Sequence, residues 1–396
     1  MAQHMSATSS DAFKACPERY KLGYIERLRL AQEPVQLRMG NNWHIGQEAL
    51  GNHKTVEQAV DLACAQYATV PDWADLTAWL VERETLANAL AVYAWLYSAD
   101  EYETLCAEVP FELPLTNPET GGVTPTFVRV GKIDKILRNK RTGVILLGEH
   151  KSTSKPIDSA SVYWNRLRLD AQTTNYLCAA REMQAAGTLP GVPATPVISG
   201  LLHDVWRKPS IEPRKLTQTD TVTFLATGDY MGQHFDVKFT ETPAPVATVD
   251  GLIAVIEIGA TPKATKADPT PKPKLAIRET PGMYGARLFA DMTGNKSVME
   301  EARGPEWYFA RREVPRTDAE LEAFRYELWA LQRTIAEMQR TGHWYTNGHA
   351  CETTFKCPFM AICYNNLDVS NGNTPPGYRR LDAAKAETTD ITGKDI

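Results

Sequence analysis

The 396-residue chain lacks any apolar run long enough to span a bilayer. Its most apolar stretch, Leu76 to Tyr97, is interrupted by Glu82, Arg83 and Glu84. That falls short of the ~18 uninterrupted apolar residues a membrane helix needs, and it reads as an amphipathic helix. The first residues hold no apolar h-region, so no signal peptide is expected. There is no surplus of positive charge either: the net charge is −5. The chain as a whole therefore does not attract a polyanion, and any such contact falls to local basic strips. No GxxxxGK(S/T) loop is present, so helicase activity would have to come from another chain. No internal repeat is found. Cysteines number seven, an odd count without signs of secretion, which argues against a disulfide framework. With 43% hydrophobic and 23% charged residues, the composition is that of a soluble globular protein with ample core material.

What is present centres on Gly131-Lys-Ile-Asp134-Lys-Ile, a polar turn, and Val-Ile-Leu-Leu-Gly-Glu149-His-Lys151. The first segment alternates from Phe127 as a half-buried strand does; Val144 to Gly148 is continuously apolar, as a covered central strand is. Asp134 and Glu149 lie where polarity resumes. Lys151, two residues beyond Glu149 on an extended strand, shares its face. Two carboxylates and a lysine so placed suit a divalent cation, a water and a phosphodiester. The lysine would orient the attacking water or stabilise phosphorane oxygens.

Around this pair the elements alternate. A helix is expected through Ala12–Cys16 with Ser9, Ser10 or Asp11 as cap, and another from about Arg38 to Leu50 carrying His44. Residues 55–106 read as helical. Strands are expected near 107–113, 125–138 and 143–149, a helix over Asp170–Ala186, and a strand over Val197–Val205. Trp307–Arg312 is strand-like, and Asp318–Arg340 has strong helical periodicity. The class is α/β or α+β. We expect residues 1–214 to form N-terminal helices and the catalytic core, and 215–276 an insertion or linker with some local structure. Residues 277–380 would complete the core domain with the cysteine cluster, and 381–396 would be a polar disordered tail.

Other residues carry weaker signals. His44 is a possible metal ligand, which would favour Mn2+ alongside Mg2+. Gln172 and Tyr176, four apart, share a helix face. Cys351, Cys357 and Cys363 are grouped, with Cys16 at the other end of the chain; four thiolates suit Zn2+ or an iron–sulfur cluster and would tie the ends together. Basic residues gather at Arg207-Lys208, Arg214-Lys215, Lys272, Lys274, Arg278, Arg311-Arg312 and Arg316 as candidate phosphate-tracking strips.

Taken together, Ser10–Tyr20 with Cys16, Gly40-x3-His44, Gly131–Asp134, Glu149–Lys151, Gln172-x3-Tyr176 and the C-terminal cysteines resemble a known family. It is the RecB-like exonuclease branch of the PD-(D/E)xK nuclease superfamily, in the iron–sulfur form of AddB-type, CRISPR-associated and many phage proteins. The resemblance implies a restriction-endonuclease-like core, a central mixed sheet flanked by helices, with an N-terminal helical region and a cysteine staple. It implies His44, Asp134, Glu149 and the His150 carbonyl as ligands of Mg2+ or Mn2+, and Lys151 as catalytic lysine. It further implies DNA contacts by Gln172 and Tyr176, and a 4Fe–4S cluster on Cys16, Cys351, Cys357 and Cys363. The first C-terminal cysteine gap is five residues where the family commonly has two, which keeps structural Zn2+ as the alternative. The expected activity is metal-dependent DNA exonuclease action in recombination, repair or phage DNA processing, in a bacterial or phage-infected host cytoplasm. The alternatives are a structure-specific endonuclease of the same fold, or a DNA-binding module acting with a helicase or recombinase.

Overall fold

The computed structural model describes residues 2–241, 244–263, 265, 271–353 and 356–382. Its centre is a six-stranded mixed sheet: β1 (Gln3–Met5), β2 (Tyr102–Thr116), β3 (Val123–Asn139), β4 (Ile145–Thr153), β5 (Gly200–Arg207) and β6 (Phe309–Glu313). β3 is the organising strand. Antiparallel β2 lies along one of its edges, pairing from Tyr102–Asn139 to Thr116–Val123. The other edge is divided: β1 takes Phe127–Arg129 in parallel, and β4 takes Lys135–Arg138 antiparallel. Among the described residues no strand pairs with 130–134 on that side. β4 then runs parallel to β5, and β6 closes the sheet antiparallel to β5.

Helices cover both faces. On one, α1 (Ala7–Ala15), α5 (Ala171–Ala185) and α7 (Asp318–Thr341) pack over a core that includes Phe127, Ile133, Leu147 and Leu177. On the other lie α2 (Val35–Gly51), α3 (Val56–Cys64), α4 (Leu76–Leu96) and α6 (Pro281–Thr293), around Trp43, Leu86, Leu90 and Trp206. Among the described residues no helix is long and apolar enough to cross a membrane.

Several expected boundaries shift for identifiable reasons. α1 begins earlier, because Ser6 rather than Ser9–Asp11 is the cap: Ser6 and Ser9 exchange a capping box. The stretch read as helical to 106 turns to strand at Tyr102, where pairing along the whole of β3 overrides helix propensity. A short helix, Pro305–Tyr308, precedes β6. α6 was not expected, although Thr280 with Pro281 at its first turn and Gly294 past its end is a good start-and-stop pair. The described residues of 215–277 carry the local structure expected of an insertion, and more of it than a linker needs. A helix, Gln218–Thr227, and a three-stranded meander share a core of Leu216, Phe224, Tyr230, Phe235 and Val249 with Met283 of α6. The expected linker residues 264 and 266–270 lie outside the described residues. So do 383–396 of the expected tail, while Leu381 is buried and bonded through its N–H to Arg27 O at 2.9 Å.

Candidate active site

α2 is locked before it delivers His44. Trp43 is 1% exposed and stacks on Trp206 of β5 with ring centroids 4.6 Å apart. Arg38, also buried, donates to both oxygens of Glu82 on α4 at 2.8–2.9 Å. At Gly46 an added Cβ would come within 2.6 Å of Leu90 Cδ1, so α2 lies against α4 at a distance only glycine permits. His44 then points Nδ1 at Oδ2 of Asp134, 3.5 Å away.

Asp134 occupies the last position of β3 before β4 joins it. The β3–β4 ladder ends at Lys135–Gly148. One residue pair further on, the Asp134 carboxylate replaces a main-chain partner, accepting the His150 N–H at 2.9 Å. In an extended strand the N–H and C=O of one residue leave by the same edge. The His150 carbonyl therefore faces the unpaired stretch of β3 as well. The His150 ring is buried, with neither nitrogen hydrogen-bonded; burial, then nearby Lys135, pulls its pKa well below the usual imidazole value.

Glu149 and Lys151 share a face as their spacing requires, with Lys151 Nζ 2.9 Å from Glu149 Oε1. Glu149 is 0% exposed, and among the described residues its two oxygens have no partner other than this ammonium. A fully buried carboxylate in this condition is costly unless a cation meets it. Burial and the neighbouring Asp134 charge push Glu149 up to about 8, against the pull of Lys151. Asp134 goes the other way. Burial opposes its charge, but His44 and then His150 hold it well below the usual carboxylate range. Two adjacent carboxylates pushed in opposite directions make this a candidate functional centre. Lys151 stays firmly charged: burial disfavours its ammonium, yet Asp170, Glu149 and Asp134 raise it above the usual lysine value.

Two residues escaped sequence reasoning. Glu108 on β2 lies across from Asp134, between the pairs Ala107–Lys135 and Val109–Ile133. Its φ of +54° is a left-handed conformation that costs a non-glycine residue about 1–3 kcal/mol and concentrates at functional sites. His44, Glu108 and Asp134 each bring a ligand atom within 4.8 Å of the others, a spacing one cation could satisfy. Glu108 is ion-paired with Lys132. The second is Asp170, which caps α5 through Thr173 N at 2.9 Å and places its other oxygen 3.8 Å from Lys151 Nζ. Gln172 accepts from Lys151 at 2.7 Å, and its amide donates to the Tyr176 hydroxyl at 3.1 Å. Tyr176 is buried edge-on to Phe111, where a Cβ at Gly131 would strike both rings within 2.8 Å. Gln172 and Tyr176 thus form a relay behind the lysine.

None of the seven cysteines forms a disulfide. Cys64, Cys106 and Cys178 lie apart from one another. Cys16, Cys351, Cys357 and Cys363 line one pocket of about 190 Å3, although 335 residues separate Cys16 from Cys351 (351 − 16). Asn347 N donates to Cys16 Sγ at 3.3 Å, and burial pushes the Cys363 thiol up to about 11.

The site is thus a strand-turn-strand carrying Asp134, Glu149 and Lys151, with a histidine and a third carboxylate converging from flanking elements. The profile of the PD-(D/E)XK nuclease superfamily matches residues 4–364. The chain belongs to this superfamily, whose members hydrolyse phosphodiesters with divalent metal ions. No curated protein matches the chain.

Proposed function

We propose that the protein is a DNA exonuclease dependent on Mg2+ or Mn2+. The carrying observation is the fully buried Glu149 carboxylate, whose one cationic partner among the described residues is Lys151, next to the Asp134 charge that meets His44 and Glu108 within 4.8 Å. This donor set fits a divalent cation: oxygen-rich for Mg2+, with one imidazole that admits Mn2+. His44, Asp134, Glu149 and the His150 carbonyl would hold it, joined by Glu108. When bound, the ion supplies charge neutralisation at the phosphate and acidifies water. Lys151, held from behind by Asp170 and Gln172, presents its ammonium to the attacking water or to the developing phosphorane oxygens. Gln172 is half-buried and can meet the nucleotide, with Tyr176 fixing its amide. The test is digestion of end-labelled linear and closed circular DNA with Mg2+ or Mn2+, comparing wild type, Asp134→Ala and Lys151→Ala. Loss in both variants with linear DNA consumed from its ends is expected. Equal activity in all three removes the catalytic assignment, and cleavage of closed circles turns the reading to an endonuclease.

For the cysteine pocket we propose a 4Fe–4S cluster of the RecB-like type. A single tetrahedral Zn2+ with bonds of about 2.3 Å holds its sulfurs about 3.8 Å apart. Among the described residues no three cysteine sulfurs fall within 4.8 Å of one another, and the pocket between them has room for more than one ion. Protein purified without oxygen should be brown with iron and sulfide in equal amounts. Colourless protein with one zinc per chain would replace the cluster. A recombination, repair or phage role, with a helicase or recombinase as partner, is the setting the resemblance implies.

A further inference from the structure

We infer that a second, basic cavity is a clamp for the phosphates of a single DNA strand leading to the carboxylate centre; this rests on the nuclease reading. The cavity measures about 560 Å3, inside the range of about 300–1,000 Å3 typical of ligand sites. Arg19, Arg29, Lys356 and Arg379 line it together with the rings of Tyr24 and Phe359. Its one acidic wall residue, Glu33, has its carboxylate oxygens engaged by the side-chain amides of Asn41 and Gln66, both at 3.3 Å. Four cations against one carboxylate, on a chain of net charge −5, is a local reversal of sign.

Three of these cations lack a counter-charge among the described residues, while Arg29 is buried and its Nη1 donates to Gly23 O and Leu28 O. Among the described residues, Arg19, Lys356 and Arg379 have no carboxylate partner, whereas Arg380, next on the same strand, is paired with Glu26 at 3.0 Å. Cations gathered around a cavity without counter-charge recruit an anion.

Position favours a strand over a free nucleotide. Pro34, Gln36 and Leu37, at the start of α2, form part of the wall. His44 lies on the same helix, eight residues past Gln36, about 12 Å along the axis at ~1.5 Å per residue. A few nucleotides of single strand span that distance, so one strand could occupy the cavity and the metal-binding carboxylates at once.

The test is fluorescence anisotropy of 5′-labelled (dT)12 and (dT)3 without divalent cation, across a salt series. The proteins are wild type and Lys356→Glu/Arg379→Glu, both positions being exposed. We expect (dT)12 affinity to fall by about tenfold or more, and the salt slope to drop by about 1–2, since each phosphate contact on a single strand contributes ~0.7. (dT)3, too short to bridge both sites, should bind alike. If the reversal lowers the melting temperature, Lys356→Gln/Arg379→Gln replaces it, with a slope reduction of about 1 expected. Unchanged (dT)12 affinity and slope overturn the clamp. Loss of thymidine monophosphate binding with (dT)12 unaffected overturns it in favour of a free-nucleotide pocket. Wild type that binds (dT)12 but cleaves no DNA with Mg2+ or Mn2+ sinks the nuclease reading and leaves the clamp standing.

Discussion

The Asp134 carboxylate accepts the His150 N–H at 2.9 Å, directly beyond the last rung of the β3–β4 ladder. One oxygen thus does a backbone's work while the residue as a whole faces His44 and Glu108. The two roles separate by substitution. Asp134→Asn keeps a carbonyl acceptor for His150 but loses the charge, so it should fold with a near-wild-type melting temperature and lose at least about 100-fold in cleavage rate. Asp134→Ala should lose both activity and about 1–3 kcal/mol of stability, by leaving a buried N–H unpaired. An active Asp134→Asn enzyme refutes the ligand role.

Glu149 makes stability fall with pH in the metal-free protein. Its folded pKa, pushed up to about 8, lies above the unfolded carboxylate value, so the native state binds the extra proton. That contribution is fully present below the ordinary carboxylate range and is lost as pH rises through about 8. Asp134, depressed, acts in the opposite sense, but at pH below the ordinary carboxylate range. Melting temperature without metal should therefore decline between about pH 5 and 8, and Glu149→Gln should flatten that decline. Adding Mn2+ at pH 7 should release a proton, measurable in buffers of different ionisation enthalpy.

Glu108 should tune metal affinity. Glu108→Gln removes one charge from the group within 4.8 Å, so the Mn2+ concentration for half-maximal cleavage should rise by about 10–100-fold. An unchanged metal requirement would assign Glu108 to its Lys132 ion pair alone.

Asp170 is a positioning residue. Asp170→Asn retains a good helix cap and should leave the melting temperature unchanged, yet it removes the charge 3.8 Å from Lys151. The alkaline limb of the pH–rate profile should move to lower pH, because Lys151 then loses its proton more readily. A purely structural Asp170 would leave that limb in place.

Cys16→Ser should destabilise the fold by several kcal/mol and bleach any visible absorption, while Cys64→Ser, a lone buried thiol, should do neither. Equal melting temperatures for the two variants would remove the staple.

Asp134, Glu149 and Lys151 were legible because strand alternation is local: a period of two assigns faces without knowledge of the fold. The grouping of His44 with Asp134, and of Cys16 with the three C-terminal cysteines, was expected through the family resemblance, since their separation in the chain gives no local signal. Glu108 could not be read at all. Nothing within ten residues of it marks a site, and its relation to Asp134 exists only in the β2–β3 register and a left-handed backbone turn. Asp170 was legible as a helix start, not as the lysine's second anchor. Local structure was expected in 215–276, but its shared core with α6 was not, because the apolar residues are widely spaced and meet only when helix and meander close against α6.

The short strand Leu28–Leu30 pairs with Tyr378–Arg380, near the opposite end of the chain. A nascent polypeptide still lacking everything past α7 has no partner for that strand, and Cys16 has none of its three companions. The segment that leads into α2 and His44 is fixed only once Tyr378–Arg380 has joined it. A fragment ending at α7 thus carries the strand pair of Asp134 and Glu149 without the frame that Tyr378–Arg380 closes around it.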